Sequence, residues 1–289
     1  FLSTYPNTQA CLKQIISLKG GFKCPHCLGH QGYILKHRPI ILCRKCKQQT
    51  SILKGTIFEK SRTPLTSWFY AIYLMTKTRC GVPAKQIQRE LGVTYKTAWR
   101  MMTLIRSTMK SPTTVFDGVV EIDETYVGGK GKNRARVYYN PEYDNKEIVM
   151  GFLDRQEKQV KPVHIGNTGK LDSMGKWKLL GHIQDNVRLG SQIFTDQLPS
   201  YEHLPKQGYK HTSVNHKVRF VKGEAHTQNL ENFWSHFKRG ITGVYRQVSA
   251  KYLQSYAEEF AFRYNYRQLK DEMFFELLGR AVQSASIPG

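Results

Sequence analysis

The sequence predicts an α/β protein in three parts: a small cysteine-bearing module, a helical segment, and a larger domain in which strands precede helices. Three observations predict it. Four cysteines stand as two close pairs, Cys24-Pro-His-Cys27 and Cys43-Arg-Lys-Cys46. Two helical patterns meet at Gly92. Three strand-like runs, Val115–Val127, Ile148–Leu153 and Val160–Ile165, come before helical patterns over 228–239 and 249–269. The expected boundaries are 1–60, 61–111 and 112–289.

Two residues between paired cysteines let a tight turn aim both thiolates at one ion. Residues 28–42 can form a hairpin that returns the second pair. Cys24, Cys27, Cys43 and Cys46 therefore predict one structural Zn2+ in a ribbon over 22–53, with Tyr33–Leu35 and Ile40–Leu42 as its short strands. Four thiolates leave no open position for catalysis. Cys11 and Cys80 show no pairing pattern, and zinc-bound beside free thiols points to a reducing compartment. Residues 1–20 read as a short helix with partial periodicity through Leu12, Ile15, Ile16 and Leu18.

The 289 residues carry a net charge of +22, unevenly spread. Residues 1–110 hold 19 Lys/Arg against 2 Asp/Glu; residues 111–289 hold 25 against 20. The front third is a polycation suited to duplex DNA, bound with strong salt dependence. A hydrophobic content of 40% and an aromatic content of 12% exclude a disordered chain. The sequence has no apolar run long enough to span a membrane and no basic amphipathic anchor for its surface. Residues 1–20 lack the zones of a signal peptide.

Residues 64–78 read as a helix opened by Thr63 and Pro64, with Trp68, Ile72 and Met75 on one face. Ala84, Ile87 and Leu91 share the next helical face, and Gly92 breaks it. Thr94 can cap a second helix with Ala98, Met101, Met102 and Ile105 on its apolar side. Helix, glycine turn, helix is the helix-turn-helix pattern. Its second helix would offer Thr94, Tyr95, Lys96 and Arg100 to a major groove.

Ser111-Pro112-Thr113-Thr114 reads as a linker. The three strand-like runs beyond it predict an antiparallel meander. A basic insert follows the first, with Lys130, Lys132, Arg134 and Arg136. Residues 170–187 read as a helix and Gln192–Thr195 as a short buried strand. In the last helical pattern Leu253, Tyr256, Ala257, Phe260, Ala261 and Tyr264 form a core stripe.

Three acids stand out by their settings. Asp123 lies in an apolar strand, and Asp196 ends the Ile193-Phe194-Thr195 run. Glu231 sits one step round from the apolar face formed by Leu230, Phe233, Trp234 and Phe237. Carboxylates on two strands and a helix edge can converge on hard cations of the kind that serve phosphoryl transfer. By strand alternation Glu121 shares the face of Asp123, while Glu124 faces away and reads as structural. Glu121 is left without a role. His226 is near enough in sequence to assist a phosphate or a metal.

Glu121-Ile122-Asp123-Glu124-Thr125-Tyr126-Val127-Gly128-Gly129 and Phe194-Thr195-Asp196 with Tyr201 are two motifs. A third is His226-Thr227-Gln228-Asn229-Leu230-Glu231-Asn232-Phe233-Trp234-Ser235, followed by Lys238-Arg239-Gly240. Together with Phe260-Ala261-Phe262-Arg263-Tyr264-Asn265, they resemble the D-D-E insertion-sequence transposases related to the Merlin superfamily. The order of zinc ribbon, helical DNA-binding segment and catalytic domain agrees. The resemblance implies an RNase H-like mixed sheet with flanking helices. Asp123 would lie on its first strand, Asp196 just after the fourth and Glu231 on the following helix, together holding two Mg2+ or Mn2+ ions. Lys238, two turns after Glu231, would hold DNA phosphate. Many relatives carry Asn where Gln228 stands, and some use it as third ligand. Asn229 lies beside that position, and Glu231 is preferred because an anionic oxygen holds Mg2+ better than an amide.

The expected function is that of a transposase. It binds terminal inverted repeats in double-stranded DNA, hydrolyses a phosphodiester at each end and joins the 3′-hydroxyls to target DNA. The resemblance also implies a homodimer or higher assembly on paired ends. A non-catalytic DNA-binding regulator and a structure-selective nuclease are the alternative readings.

Overall fold

In the computed structural model the chain divides into two units, Phe1–Met109 with Leu269–Gly289, and Lys110–Gln268. The described residues are 1–36, 38–111, 115–128, 146–166, 173–196, 201–213 and 226–284.

Three helices centre the first unit. Helix α1 (Thr8–Leu18) starts at Asn7, whose side chain accepts from the Ala10 N–H at 3.0 Å. It buries Cys11, Leu12 and Ile15. Helix α2 (Leu65–Lys77) buries Trp68, Phe69, Ile72 and Met75. The chain's last helix, which becomes α8 (Met273–Gln283), joins them through Phe274, Leu277 and Leu278. The rings of Tyr5, Phe69 and Phe274 meet at centroid distances of 5.0, 5.8 and 6.3 Å.

Helices α3 (Ala84–Leu91) and α4 (Tyr95–Ser107) are joined through Gly92, whose φ of 63° is the left-handed geometry of a helix stop. The Thr94 hydroxyl caps α4, accepting from the Thr97 N–H at 3.2 Å. Ala98, Met101, Met102 and Ile105 are buried, as their spacing predicts. The cysteine module is a three-stranded antiparallel sheet: β1 (Gly32–Ile34), β2 (Ile40–Cys43) and β3 (Gln49–Ser51).

The second unit is built on a mixed five-stranded sheet. Its strands are β4 (Val119–Val127), β5 (Glu147–Asp154), β6 (Gln159–Gly166), β7 (Gln192–Thr195) and β8 (Lys210–Ser213), in the order β6-β5-β4-β7-β8. The expected meander is present, with β4, β5 and β6 antiparallel. Strand β7 runs parallel to β4, and β8 parallel to β7. Strand β4 starts at Val119 rather than Val115, because Gly118 (φ 82°) turns the chain and Phe116 bridges to Val187 instead.

Helix α5 (Ser173–Asn186) covers one face with Leu179, Leu180 and Ile183 against Val120, Ile122, Met150 and Phe152. Helices α6 (Gln228–Gly240) and α7 (Ala250–Asn265) cover the other. There Leu230, Phe233, Trp234, Phe237, Leu253 and Phe260 meet Val149, Leu153 and Val160. Helix α7 ends at Asn265, short of residue 269. The Asn265 side chain accepts from the Val160 N–H at 2.7 Å and donates to its carbonyl at 2.9 Å. Among the described residues no helix is long and apolar enough to cross a membrane.

Candidate metal centre

Strand β4 pairs with β7 only through Val119–Glu121, opposite Gln192–Phe194. Strand β7 then stops at Thr195, while β4 continues to Val127. Asp196 leaves the sheet at this step, next to the middle of β4. Here the carboxylate oxygens of Asp123, Glu124 and Asp196 lie within 4.8 Å of one another, each side chain half-buried. Glu124 therefore does not face away from Asp123. Alternation assigns its Cβ to the other face, but its longer side chain reaches the cluster where β7 no longer flanks the strand.

Burial, then the charges of Asp196 and Glu231, raise Asp123 to about 7, against a lowering by the backbone N–H of Glu124 and the nearby Trp234 indole. Burial and the charges of Asp123 and Asp196 push Glu124 well above the ordinary carboxylate range. Its Oε1 is buried and has no hydrogen-bond partner among the described residues. Converging carboxylates that repel one another, one with an unpaired buried oxygen, fit a hard divalent cation. Glu231 is outside this group: it is exposed on the first turn of α6, yet close enough to raise Asp123. Lys238 is exposed near the C-terminal end of α6.

Glu121, on the same face of β4 as Asp123, is fully buried. Its Oε1 accepts from Arg155 Nε at 2.8 Å and Asn229 Nδ2 at 2.7 Å, and its Oε2 from the Leu230 N–H at 3.3 Å. Asn229 is thus engaged with Glu121. His226 Nδ1 lies 3.5 Å from the same carboxylate. Thr195 is buried beside Asp196, its hydroxyl 2.9 Å from His211 Nε2 on β8. Burial lowers the His211 pKa.

A family model for the ISXO2-like transposase domain matches residues 115–265, which include the acidic cluster and α6. The chain belongs to this transposase family. A Halobacterium salinarum relative is described as an uncharacterized protein in transposable element ISH50. It is 27% identical over 271 residues, covering 86% of this chain and 87% of its own. An uncharacterized transposase-like protein of Haemophilus influenzae is 26% identical over 95 residues, covering 33% of this chain and 76% of its own. Among solved structures, a cryo-EM structure of a simian T-cell lymphotropic virus intasome in complex with PP2A regulatory subunit B56 gamma matches. It does so at a TM-score of 0.31 and 13% identity, over 66% of this chain and 64% of that one.

Within this transposase-family unit, Gly151 pairs with Asp123 across β4 and β5. A Cβ at Gly151 would lie 2.6 Å from Trp234 Cζ2 and 2.9 Å from Leu230 Cδ2. Glycine is what lets α6 lie close to the sheet beside Asp123. Gly151→Ala is expected to cost about 1–3 kcal/mol and to push α6 outward. Thermal denaturation checks it; a melting temperature equal to wild type would show that the close approach is not needed.

In the first unit the four cysteines converge. Cys24 and Cys46 Sγ are 3.6 Å apart, and Cys27 and Cys43 Sγ 3.5 Å. A tetrahedron with bonds of about 2.3 Å has edges near 3.8 Å, so the set fits Zn2+. The backbone N–H groups of Cys27 and His26 hold the Cys24 thiol below its ordinary value against the effect of burial. Those of Cys46 and Lys45 hold Cys43 at about 6. Both cysteine turns are followed by a left-handed residue, Leu28 (φ 58°) and Lys47 (φ 59°), and the two knuckles share one backbone shape.

Thr94, Tyr95, Lys96 and Arg100 are exposed on the N-terminal half of α4. The Thr94 hydroxyl is occupied as the helix cap, and Lys85 Nζ lies 5.4 Å from the Tyr95 ring centroid. Lys85, Gln88, Arg89, Gly92 and Val93 line a groove at the turn between α3 and α4. Lys130, Lys132, Arg134 and Arg136 lie outside the described residues.

Proposed function

We propose that this chain is a metal-dependent DNA transposase with an RNase H-like catalytic unit. The observation that carries the reading is the convergence of Asp123, Glu124 and Asp196 at the end of β7 in a chain of a transposase family. Asp123 and Asp196 would hold the divalent ions, with Glu231 as the further ligand from α6 and Glu124 completing the negative site. Two bound Mg2+ or Mn2+ ions would supply charge stabilisation for the attacking and leaving oxygens of phosphoryl transfer.

The protein's own part is to position strands and to hold charge. Lys238 holds DNA phosphate beside the carboxylates. Hydrolysis at the transposon end leaves a 3′-hydroxyl. That hydroxyl then attacks a target phosphodiester, forming one P–O bond as another breaks and a target 3′-hydroxyl leaves.

The helix pair α3–α4 acts as a helix-turn-helix that reads the terminal repeat. Tyr95, Lys96 and Arg100 point to the DNA, and Thr94 orders the helix start. The zinc-bound ribbon and the basic segment with Lys130, Lys132, Arg134 and Arg136 clamp the backbone. Two ends are joined by a dimer or higher assembly. The test is incubation of the full chain with Mg2+ and a duplex bearing the element's terminal repeats. Nicked ends with 3′-hydroxyls and joined products are expected; retention of both strands intact, at protein concentrations that saturate the duplex, would overturn the reading.

A further inference from the structure

The Glu121–Arg155 pair, its carboxylate fully buried and its guanidinium partly so, touches all three segments that bring the acids together. Glu121 lies two residues before Asp123 on β4. From there its carboxylate takes the Leu230 N–H in the first turn of α6, at 3.3 Å, and the Asn229 amide, at 2.7 Å. The local N-cap residue, Thr227, makes no side-chain cap bond. An acid from a neighbouring strand therefore satisfies a free N–H of α6 and complements its dipole. Arg155, just past β5, donates to Glu121 through Nε and to the His226 carbonyl at 2.6 Å, at the entry to α6. Its guanidinium carbon lies 4.4 Å from the centroid of Phe194, two residues before Asp196. An ion pair that costs one partner its full hydration is a poor source of net stability. A planar fork bonded to two segments and stacked on a third is well suited to fixing their spacing.

We propose that Arg155 and Glu121 are positioning residues that set the distances among Asp123, Asp196 and Glu231, and so the affinity of the acidic site for divalent cations. This rests on the metal reading above. The reaction class is unchanged; the two residues touch neither substrate nor metal.

The test is Mn2+ binding by the zinc-loaded 289-residue chain, followed by the electron paramagnetic resonance signal of free Mn2+. It is run well below every variant's melting temperature. Arg155→Lys keeps the charge and loses the fork, and Glu121→Gln keeps the shape and loses the charge. Each is expected to weaken Mn2+ binding by about tenfold or more. Arg188→Ala breaks the exposed Arg188–Asp117 pair of the same unit and is expected to change nothing.

Phe194→Leu keeps both the ion pair and an apolar side chain. It is expected to weaken binding at least about threefold, and it decides the matter where the charge variants fail to fold. Wild-type affinity in folded Arg155→Lys and Glu121→Gln, or in Phe194→Leu when those do not fold, would overturn the positioning role alone. A wild-type chain that takes up no Mn2+ would overturn the metal reading instead.

Discussion

Asp123→Asn and Asp196→Asn are each expected to reduce divalent-dependent strand cleavage by about a thousandfold or more, with binding to terminal-repeat DNA retained. The same substitutions should strengthen the metal-free fold. Partial burial, then the charges of Asp196 and Glu231, raise Asp123 in the folded chain to about 7 from its ordinary 3.8. A raised carboxyl favours folding while protonated. That contribution is complete below about pH 4 and is lost as pH rises through about 7. At pH 8 the metal-free wild type therefore carries a repulsion that Asp123→Asn removes.

Discounted for partial exposure, the gain is about 1–3 kcal/mol. Melting curves of the zinc-loaded chains from pH 4 to 8 without added Mg2+ or Mn2+ should fall more steeply for wild type than for the variant. Mg2+ at pH 8 should raise the wild-type melting temperature and leave Asp123→Asn nearly unmoved. Parallel curves for the two proteins would show that the Asp123 carboxyl is not under this pressure.

Zinc removal is expected to have the larger structural effect. Strands β1–β3 contain three or four residues each, and β1 and β3 bury none of theirs fully. Ile41 and Cys43 are the buried residues of β2. So short a sheet does not hold together by its own core. Zinc binding at a four-thiolate site supplies on the order of 10–16 kcal/mol, nearly all of it folding energy here. Chelation, or Cys43→Ser, should abolish amide-exchange protection across 32–51 while β4, β5 and β6 keep theirs. Binding to terminal-repeat DNA should fall as well. Protection that survives verified zinc loss in β1–β3 would mean that something other than the metal orders the ribbon.

The residues that carry strong local patterns were legible in the sequence. Paired cysteines, the Gly92 break and the apolar faces of α2, α4, α6 and α7 depend on spacing within one segment. So do the three strands of the meander. What was not legible depends on neighbours. Gln49-Thr50-Ser51 and Lys210-His211-Thr212-Ser213 form β3 and β8 with no apolar alternation, because they are edge strands held by pairing.

Glu124 joins the acidic cluster because β7 stops at Thr195, and the period of β4 carries no record of where its neighbour ends. Glu121 reads as one more acid in an acidic motif. Its partners, Arg155 and Asn229, come from distant parts of the chain, and only the fold shows that it caps α6. Helix α8 went unread in the sequence, and its partners α1 and α2 come from the other end of the chain.

The most direct test is anomalous diffraction from crystals of the zinc-loaded chain soaked in Mn2+. Manganese density bonded to carboxylate oxygens of both Asp123 and Asp196 is expected, and it should disappear in Asp196→Asn. Ordered carboxylates at both positions with no manganese between them, in crystals of a protein that cleaves terminal-repeat DNA with Mn2+, would contradict it.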